Sequence, residues 1–132
     1  MNTLEEAQRI ISAARQKAQE IGQPMNIAIM DAGRNLKAFE RMDGAWVASI
    51  DIAIDKAFTS AGRGLSTKDI GEMAQPGQPL FGINTTHGGR IIIFAGGIPL
   101  MRDGEVVGAI GVSGGTVDED HEVAEAGVAA FG

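Results

Sequence analysis

Apolar residues near the N-terminus repeat at spacings of three and four, which is the pattern of one buried helix face. Thr3 and Glu6 form a capping box ahead of this pattern, and Gly22 and Pro24 follow it. A first helix is therefore predicted between them. Its apolar positions are Leu4, Ala7, Ile11, Ala14, Ala18 and Ile21.

The pattern then changes to that of a β-hairpin. MNIAIMD and LKAFERMD have the composition of strands and are separated by the turn sequence DAGRN, so residues 25–43 are predicted to form a hairpin. Helical spacing returns over residues 45–61, and a short helical turn is predicted within 65–74. The proline- and glycine-rich stretch that follows, residues 75–89, is typical of a loop.

Three apolar runs in the C-terminal half are predicted to be strands. They are RIIIFA (90–95), IPLM (98–101) and EVVGAIGVS (105–113), and Asp103–Gly104 between the last two is a hairpin signal. A last helix begins near Thr116 or Val117 and runs to Phe131, with acidic residues in its first turns. The order α-β-β-α-α-β-β-β-α predicts one α+β domain over residues 1–132, an antiparallel sheet with helices packed on it.

Composition narrows the possible functions. The net charge of −6 argues against nucleic-acid binding, and no run approaches the ~18 apolar residues of a membrane span. With no cysteine, thiolate catalysis and cysteine-based metal sites are excluded. MNTLEEAQ lacks the features of a signal peptide, so a cytoplasmic protein is expected. The 19 glycines, about twice the average usage, imply tight turns and close backbone approach.

Three stretches together resemble one known family. They are RMDGAWVASIDIAIDKAFTSA (41–61), FAGGIPLMRDGEVVGAIGVSGG (94–115) and TVDEDHEVAEAG (116–127). The chain resembles the GlcG/HbpS family of small haem-binding or haem-degrading-type proteins, which includes the C-terminal domain of PduO. The resemblance implies a profilin-like fold with a five-stranded antiparallel sheet flanked by helices. It also implies homo-oligomers, from dimer to octamer, and binding of haem or a corrinoid in some members.

His87 is the first candidate for chemistry. It lies in the loop Thr86-His87-Gly88-Gly89-Arg90, where it is expected to be exposed or to line the rim of a pocket. It could be the iron ligand of a bound haem, a general acid or base, or a solvated loop residue, and these alternatives stay open. Its neighbours Thr86 and Arg90 are predicted to contact the ligand. His121, in the last helix, is expected to be packed or interfacial.

Several other residues are candidates for holding an anionic ligand. Arg41, Lys56 and Arg90 supply positive charge, and the glycine amides before the last helix could bind a carboxylate. Asp120 could anchor that glycine turn or face the pocket. The turn also fits G-x-S-x-G, but the strand and helix context of a serine hydrolase is missing. The turn residues are Ser113, Gly114 and Gly115.

The favoured hypothesis is a homo-oligomeric protein that binds haem or a comparable small ligand near a subunit boundary. The alternative is a cofactor-free enzyme acting on a small carboxylated or aromatic metabolite. In it His87 is the acid or base, and Arg41 or Arg90 holds the carboxylate. A third hypothesis is an assembly scaffold without a ligand. Metal binding by side chains alone is poorly supported, because the two histidines are far apart in sequence.

Overall fold

The computed structural model describes residues 3–132. The predicted helices and both predicted hairpins are present, and capping boxes at Thr3 and Thr116 begin the first and last helices. Two short 3₁₀ turns lie in the loop before the third strand, at Ile83–Thr85 and His87–Gly89. The elements are α1 Leu4–Ile21, β1 Asn26–Asp31, β2 Leu36–Arg41, α2 Ser49–Arg63, α3 Thr67–Met73, β3 Gly97–Arg102, β4 Glu105–Ser113 and α4 Val117–Ala129.

The four strands form one antiparallel sheet in the order β2-β1-β4-β3. β1 is central, and Ile27 lies opposite Glu40 on one side and Val112 on the other. Because side chains alternate along a strand, Ile27 and its same-face neighbours pack under α1 and α4, whereas Ala28 and Met30 face α2. The sheet is therefore covered by helices on both faces.

The two faces are packed differently. The α1 and α4 face is filled mainly by isoleucine and valine with some alanine, whereas the α2 face is made largely of alanine. Small residues bring α2 close to β4, and a Cβ on Gly111 would lie 2.0 Å from the Ala53 carbonyl oxygen. α2 therefore packs almost backbone to backbone on the sheet.

The expectation of a five-stranded sheet is wrong, because residues 90–95 form no strand. This segment runs along α2 instead: the Thr59 hydroxyl accepts from the Ile92 amide at 3.0 Å, and its single proton lies between the Asp55 carbonyl at 2.8 Å and the Arg90 carbonyl at 3.2 Å. A Cβ on Gly71 of α3 would lie 2.2 Å from the Ile93 carbonyl oxygen, so α3 also contacts this segment closely. The Thr59 side chain thus supplies hydrogen bonding to this segment that a neighbouring strand would otherwise provide.

No helix within residues 3–132 combines the length and the apolar character that a membrane span requires.

Candidate functional site

The loop that carries His87 folds back onto the outer side of α2. His87 has left-handed backbone geometry, with φ 53°, and its exposed imidazole meets the Phe58 ring edge to face, with the ring centroids 5.8 Å apart. Its Nδ1 lies 3.4 Å from the Thr86 hydroxyl, which itself donates to the Ile83 carbonyl. The His87 loop and α2 are therefore in contact at Phe58, so their side chains could belong to one site.

Two arginines share the same ring. The guanidinium carbon of Arg90 lies 3.7 Å from the Phe58 centroid, and that of Arg34 lies 4.5 Å from it. Asp55, one turn earlier on α2, accepts a hydrogen bond from Arg90 Nε at 2.8 Å. These residues, Arg34, Asp55, Phe58, His87 and Arg90, are called the Phe58 cluster below.

Left-handed backbone geometry outside glycine occurs within residues 3–132 at Arg34, His87 and Asp103. Arg34 and Asp103 lie in the turns of the β1–β2 and β3–β4 hairpins, where this geometry is ordinary. His87, with φ 53°, lies outside both hairpins. Strained residues gather at ligand sites more than elsewhere, so the geometry of His87 beside Phe58 favours a functional surface there.

A strip of apolar surface adjoins the cluster on the α2 face of the sheet. Leu36 and Phe39 of β2 lie opposite Met30 and Ala28, which face α2, so their side chains share that face. Phe39 is half-buried and Leu36 is 50% exposed. With Ile54 of α2 they are called the apolar shelf below. A ligand held at the Phe58 cluster would have an apolar surface beside it.

Sequence reasoning missed Arg34, Asp55 and Phe58. Phe58 belongs to the apolar stripe of α2 and Arg34 to an ordinary hairpin turn, so neither has a local pattern that indicates a site. The only signal in the sequence is the spacing of Asp55 and Phe58, which places them on one side of a helix.

Lys56 and Asp120 form a second, fully internal group. Lys56 is completely buried and donates to Asp120 Oδ2 at 2.9 Å and to the Val112 carbonyl at 2.8 Å. Asp120 Oδ1 accepts from the Gly115 amide at 2.9 Å. Of the two roles left open for Asp120, the geometry shows the anchoring of the glycine turn.

Burial shapes the titration of this pair. Desolvation lowers the pKa of Lys56, and the nearby Asp120 charge opposes that shift. Desolvation likewise raises the pKa of Asp120, and the Lys56 ammonium opposes it. The ammonium also lies 5.1 Å from the centroid of the Phe94 ring, which is partly exposed.

Two amides at the start of α4, near the positions expected to bind an anion, already have carboxylate partners within the chain. The Gly115 amide donates to Asp120 and the Thr116 amide to Glu119, so the chain's own carboxylates already occupy the start of α4. Ser113 is buried at the end of β4, behind Gly114. Neither histidine is paired with it, since His87 contacts Thr86 and Phe58, and His121 lies 3.7 Å from Glu125.

Arg41 lies apart from both groups. It is exposed at the end of β2, beside a shallow groove of about 380 Å³ that it shares with Arg15, Gln19 and Glu40. Arg15 is paired with Glu40. The candidates thus separate into three places: Thr86, His87 and Arg90 at the Phe58 cluster, Lys56, Ser113, Gly114, Gly115 and Asp120 at the glycine turn, and Arg41 alone.

Another groove, of about 350 Å³, lies between α4 and the edge strand β3. It is lined by Ile98, His121, Glu125, Val128 and Ala129. His121 is half-buried, as expected, and its Nδ1 has no hydrogen-bond partner within residues 3–132. Across the same part of the chain, no three carboxylate or imidazole groups converge as a metal-ion site.

Comparison with known proteins identifies the family. Residues 3–129 match the family described as "Haem degrading protein HbpS-like". An uncharacterised 15.0 kDa protein of Citrobacter freundii, from the dhaT-dhaS intergenic region, is 41% identical over 98% of this chain and 91% of its own.

Solved structures agree with this match. The crystal structure of Klebsiella pneumoniae protein ORFY has a TM-score of 0.96 and 40% identity, covering 98% of this chain and 90% of that one. A crystal structure of a PduOC–heme complex has a TM-score of 0.94 and 31% identity, covering 98% of this chain and 94% of that one. The chain belongs to the HbpS-like family.

Proposed function

We propose that this protein binds haem, or a closely comparable carboxylated ligand, at the Phe58 cluster and the apolar shelf. The observation that carries the proposal is the convergence of His87, Arg34 and Arg90 on one aromatic ring beside exposed apolar surface. The structurally similar PduOC–heme complex supports haem as the ligand class.

The residues present fit a haem group. The His87 ring is exposed, and its Nε2 has no partner among the described residues, so it can ligate iron. The two arginines suit propionate groups, because a guanidinium matches carboxylate geometry. Leu36, Phe39 and Ile54 offer apolar contact to a flat ring. Bound haem would supply the redox chemistry of its iron, and the protein would supply binding and orientation.

A single chain leaves this site open. The loop around His87 is exposed from Thr85 to Gly89, and a Cβ at Gly88 or Gly89 would meet nothing within 4 Å. Ligand sites normally bury most of their ligand. The proposal therefore includes a homo-oligomer in which a second subunit closes the site.

The test is an absorbance titration of the purified protein with haemin, repeated on His87→Ala and on His121→Ala as the matched control. We expect a saturable Soret shift in the parent protein and the control, and a weakened or displaced band in His87→Ala. Absence of any saturable shift in the parent protein contradicts haem binding. An identical band in all three proteins contradicts the role of His87.

The second candidate function is an enzyme acting on a small carboxylated metabolite. The specific observation in its favour is an exposed imidazole beside two guanidiniums, which is an acid–base group next to a carboxylate holder. Here His87→Ala would abolish turnover and leave ligand affinity nearly unchanged. A screen of small organic acids with both proteins separates this function from haem binding.

A further inference from the structure

We propose that the Phe58 cluster recognises a carboxylate directly, without iron, and that Asp55 is an internal competitor that limits its affinity for ligand anions. This rests on the proposed function only for the location of the site. The ligand class is an anion whose carboxylate is attached to a flat apolar body.

Unused hydrogen-bond donors are the first argument. Asp55 engages Arg90 through Nε, and no bond to either terminal guanidinium nitrogen of Arg90 occurs within residues 3–132. Arg34 has no carboxylate partner in the same part of the chain; it lies on Phe58 and against Gly62, where a Cβ would meet Nη1 at 2.8 Å. An aromatic ring leaves the in-plane N–H donors of a guanidinium free. Both guanidiniums therefore keep N–H donors that can bind a carboxylate.

Charge is the second argument. The cluster contains two guanidiniums and one carboxylate, and only Arg90 is paired with that carboxylate, so the cluster carries an excess positive charge while the whole chain has a net charge of −6. Arg102, on the opposite side of the sheet, provides a contrast. It also lies over an aromatic ring, Phe131, but it is a single guanidinium paired with a single carboxylate, Glu6. An incoming carboxylate is attracted to the first arrangement and not to the second.

The surroundings define the rest of the ligand. The faces and edge of Phe58 are occupied by the cluster itself, so an apolar ligand body would lie on the apolar shelf beside it. Arg34 is two residues from Leu36, the most exposed residue of the shelf. Carboxylate and apolar contacts are therefore adjacent, as an aromatic acid or a porphyrin propionate requires.

Asp55 sets the strength of the site. Its carboxylate neutralises part of the Arg90 charge and holds the guanidinium in place. Asn at this position keeps an oxygen that can accept from Nε but removes the competing charge. Asp55→Asn is therefore expected to bind a ligand carboxylate more tightly than the parent protein.

The experiment uses protoporphyrin IX, which has two propionates and no iron, and follows its fluorescence on binding. Arg34→Met and Arg90→Met are each expected to weaken binding about tenfold, the size of one charge-assisted hydrogen bond near the surface. Asp55→Asn is expected to tighten it about threefold or more. Arg102→Met is the matched control and should bind within twofold of the parent protein.

Carboxylate recognition is overturned if either cluster arginine variant binds protoporphyrin IX within twofold of the parent protein. The role of Asp55 is overturned if Asp55→Asn binds equally or more weakly. Should Arg90→Met fail to fold, Arg34→Met alone decides, since Arg34 lies in a turn outside the core. If the arginine variants still bind haemin, the proposed function stands even though this inference fails. If porphyrin binding depends on the arginines but haemin gives no Soret shift, this inference stands and haem binding does not.

Discussion

At the scale of single residues, the most demanding feature is the ion pair between Lys56 and Asp120. Both groups are buried, and burial moves the pKa of each toward its neutral form. Their mutual attraction and their hydrogen bonds to Val112 and Gly115 offset that cost. The pair joins α2, β4 and the start of α4 and thereby fixes the glycine turn.

The first prediction concerns this pair. Lys56→Met leaves Asp120 buried beside no counter-charge and is expected to lower the free energy of unfolding by about 3–5 kcal/mol. Lys56→Met with Asp120→Leu removes both charges and should recover at least half of that loss. Urea denaturation of the three proteins checks it. A double variant as unstable as the single one would mean that the Gly115 contact, not the charge, dominates.

The second prediction concerns pH. The pKa of Glu6 is lowered to about 2 by its hydrogen bond with the Thr3 amide and, next, by Arg102. Because the folded pKa lies below the unfolded value, this carboxylate stabilises the fold above pH 4.5 and loses that contribution as pH falls toward 2.

The stability of Glu6→Gln should therefore fall furthest below that of the parent protein at neutral pH, and the two stabilities should converge in acid. Thermal unfolding of both proteins at pH 7, 4 and 3 measures the difference. A difference in melting temperature that stays constant with pH would contradict the role of ionisation at Glu6. Glu119, the glutamate of the capping box that begins α4, provides the control through Glu119→Gln.

At the scale of elements, the close approach of α2 to β4 positions the site. Because Gly111 has no side chain, the Ala53 carbonyl of α2 packs directly against β4. Gly71 of α3 likewise leaves room for the Ile93 carbonyl, so α3 packs closely on the segment 90–95. That segment leads directly from Arg90, so its packing fixes where Arg90 stands relative to Phe58.

The third prediction follows from this contact. Gly111→Ala would place a methyl group against backbone, which cannot rotate away, and is expected to destabilise the fold by about 1–3 kcal/mol or more. Gly33→Ala is the control, because its Cβ first meets the flexible Asn35 amide, at 3.0 Å, in an exposed turn. Chemical denaturation compares them. Equal stability of the two variants would contradict close packing of α2.

The elements themselves could be predicted from sequence, and the site largely could not. Helix caps and hairpin turns are local, which is why α1, α4 and the β3–β4 hairpin followed from Thr3, Thr116 and Asp103–Gly104. The isoleucine run at 91–93 has strand composition, but its Ile92 amide donates to the Thr59 hydroxyl on α2. The Phe58 cluster joins residues 34, 55–58 and 87–90, which no period or spacing connects.

At the scale of the whole molecule, charge is distributed unequally between the two faces. On the α1 and α4 side, Arg15, Lys17 and Arg102 each have a glutamate partner. On the α2 side, Arg90 is paired with Asp55, whereas Arg34 has no carboxylate partner among residues 3–132. An anionic ligand is therefore expected on the α2 side, although the chain as a whole is acidic.

The edges of the sheet also differ. The outward amide of Gly97 on β3 donates to Thr67, and Pro99 has no amide to offer, so this edge is closed to strand pairing. In the proposed homo-oligomer the subunits would consequently meet through helix and loop surfaces, or through β2, rather than through β3.

The most direct test of the central claim is an amide NMR titration of ¹⁵N-labelled protein with gallium protoporphyrin IX, a diamagnetic analogue of haem. A ligand at the Phe58 cluster should shift amide signals in the turn 32–36, along residues 54–62 of α2 and in the loop 85–92, and leave α4 nearly unchanged. Shifts confined to α4 and β3, around the groove of Ile98 and His121, would place the ligand on the opposite face and contradict the account.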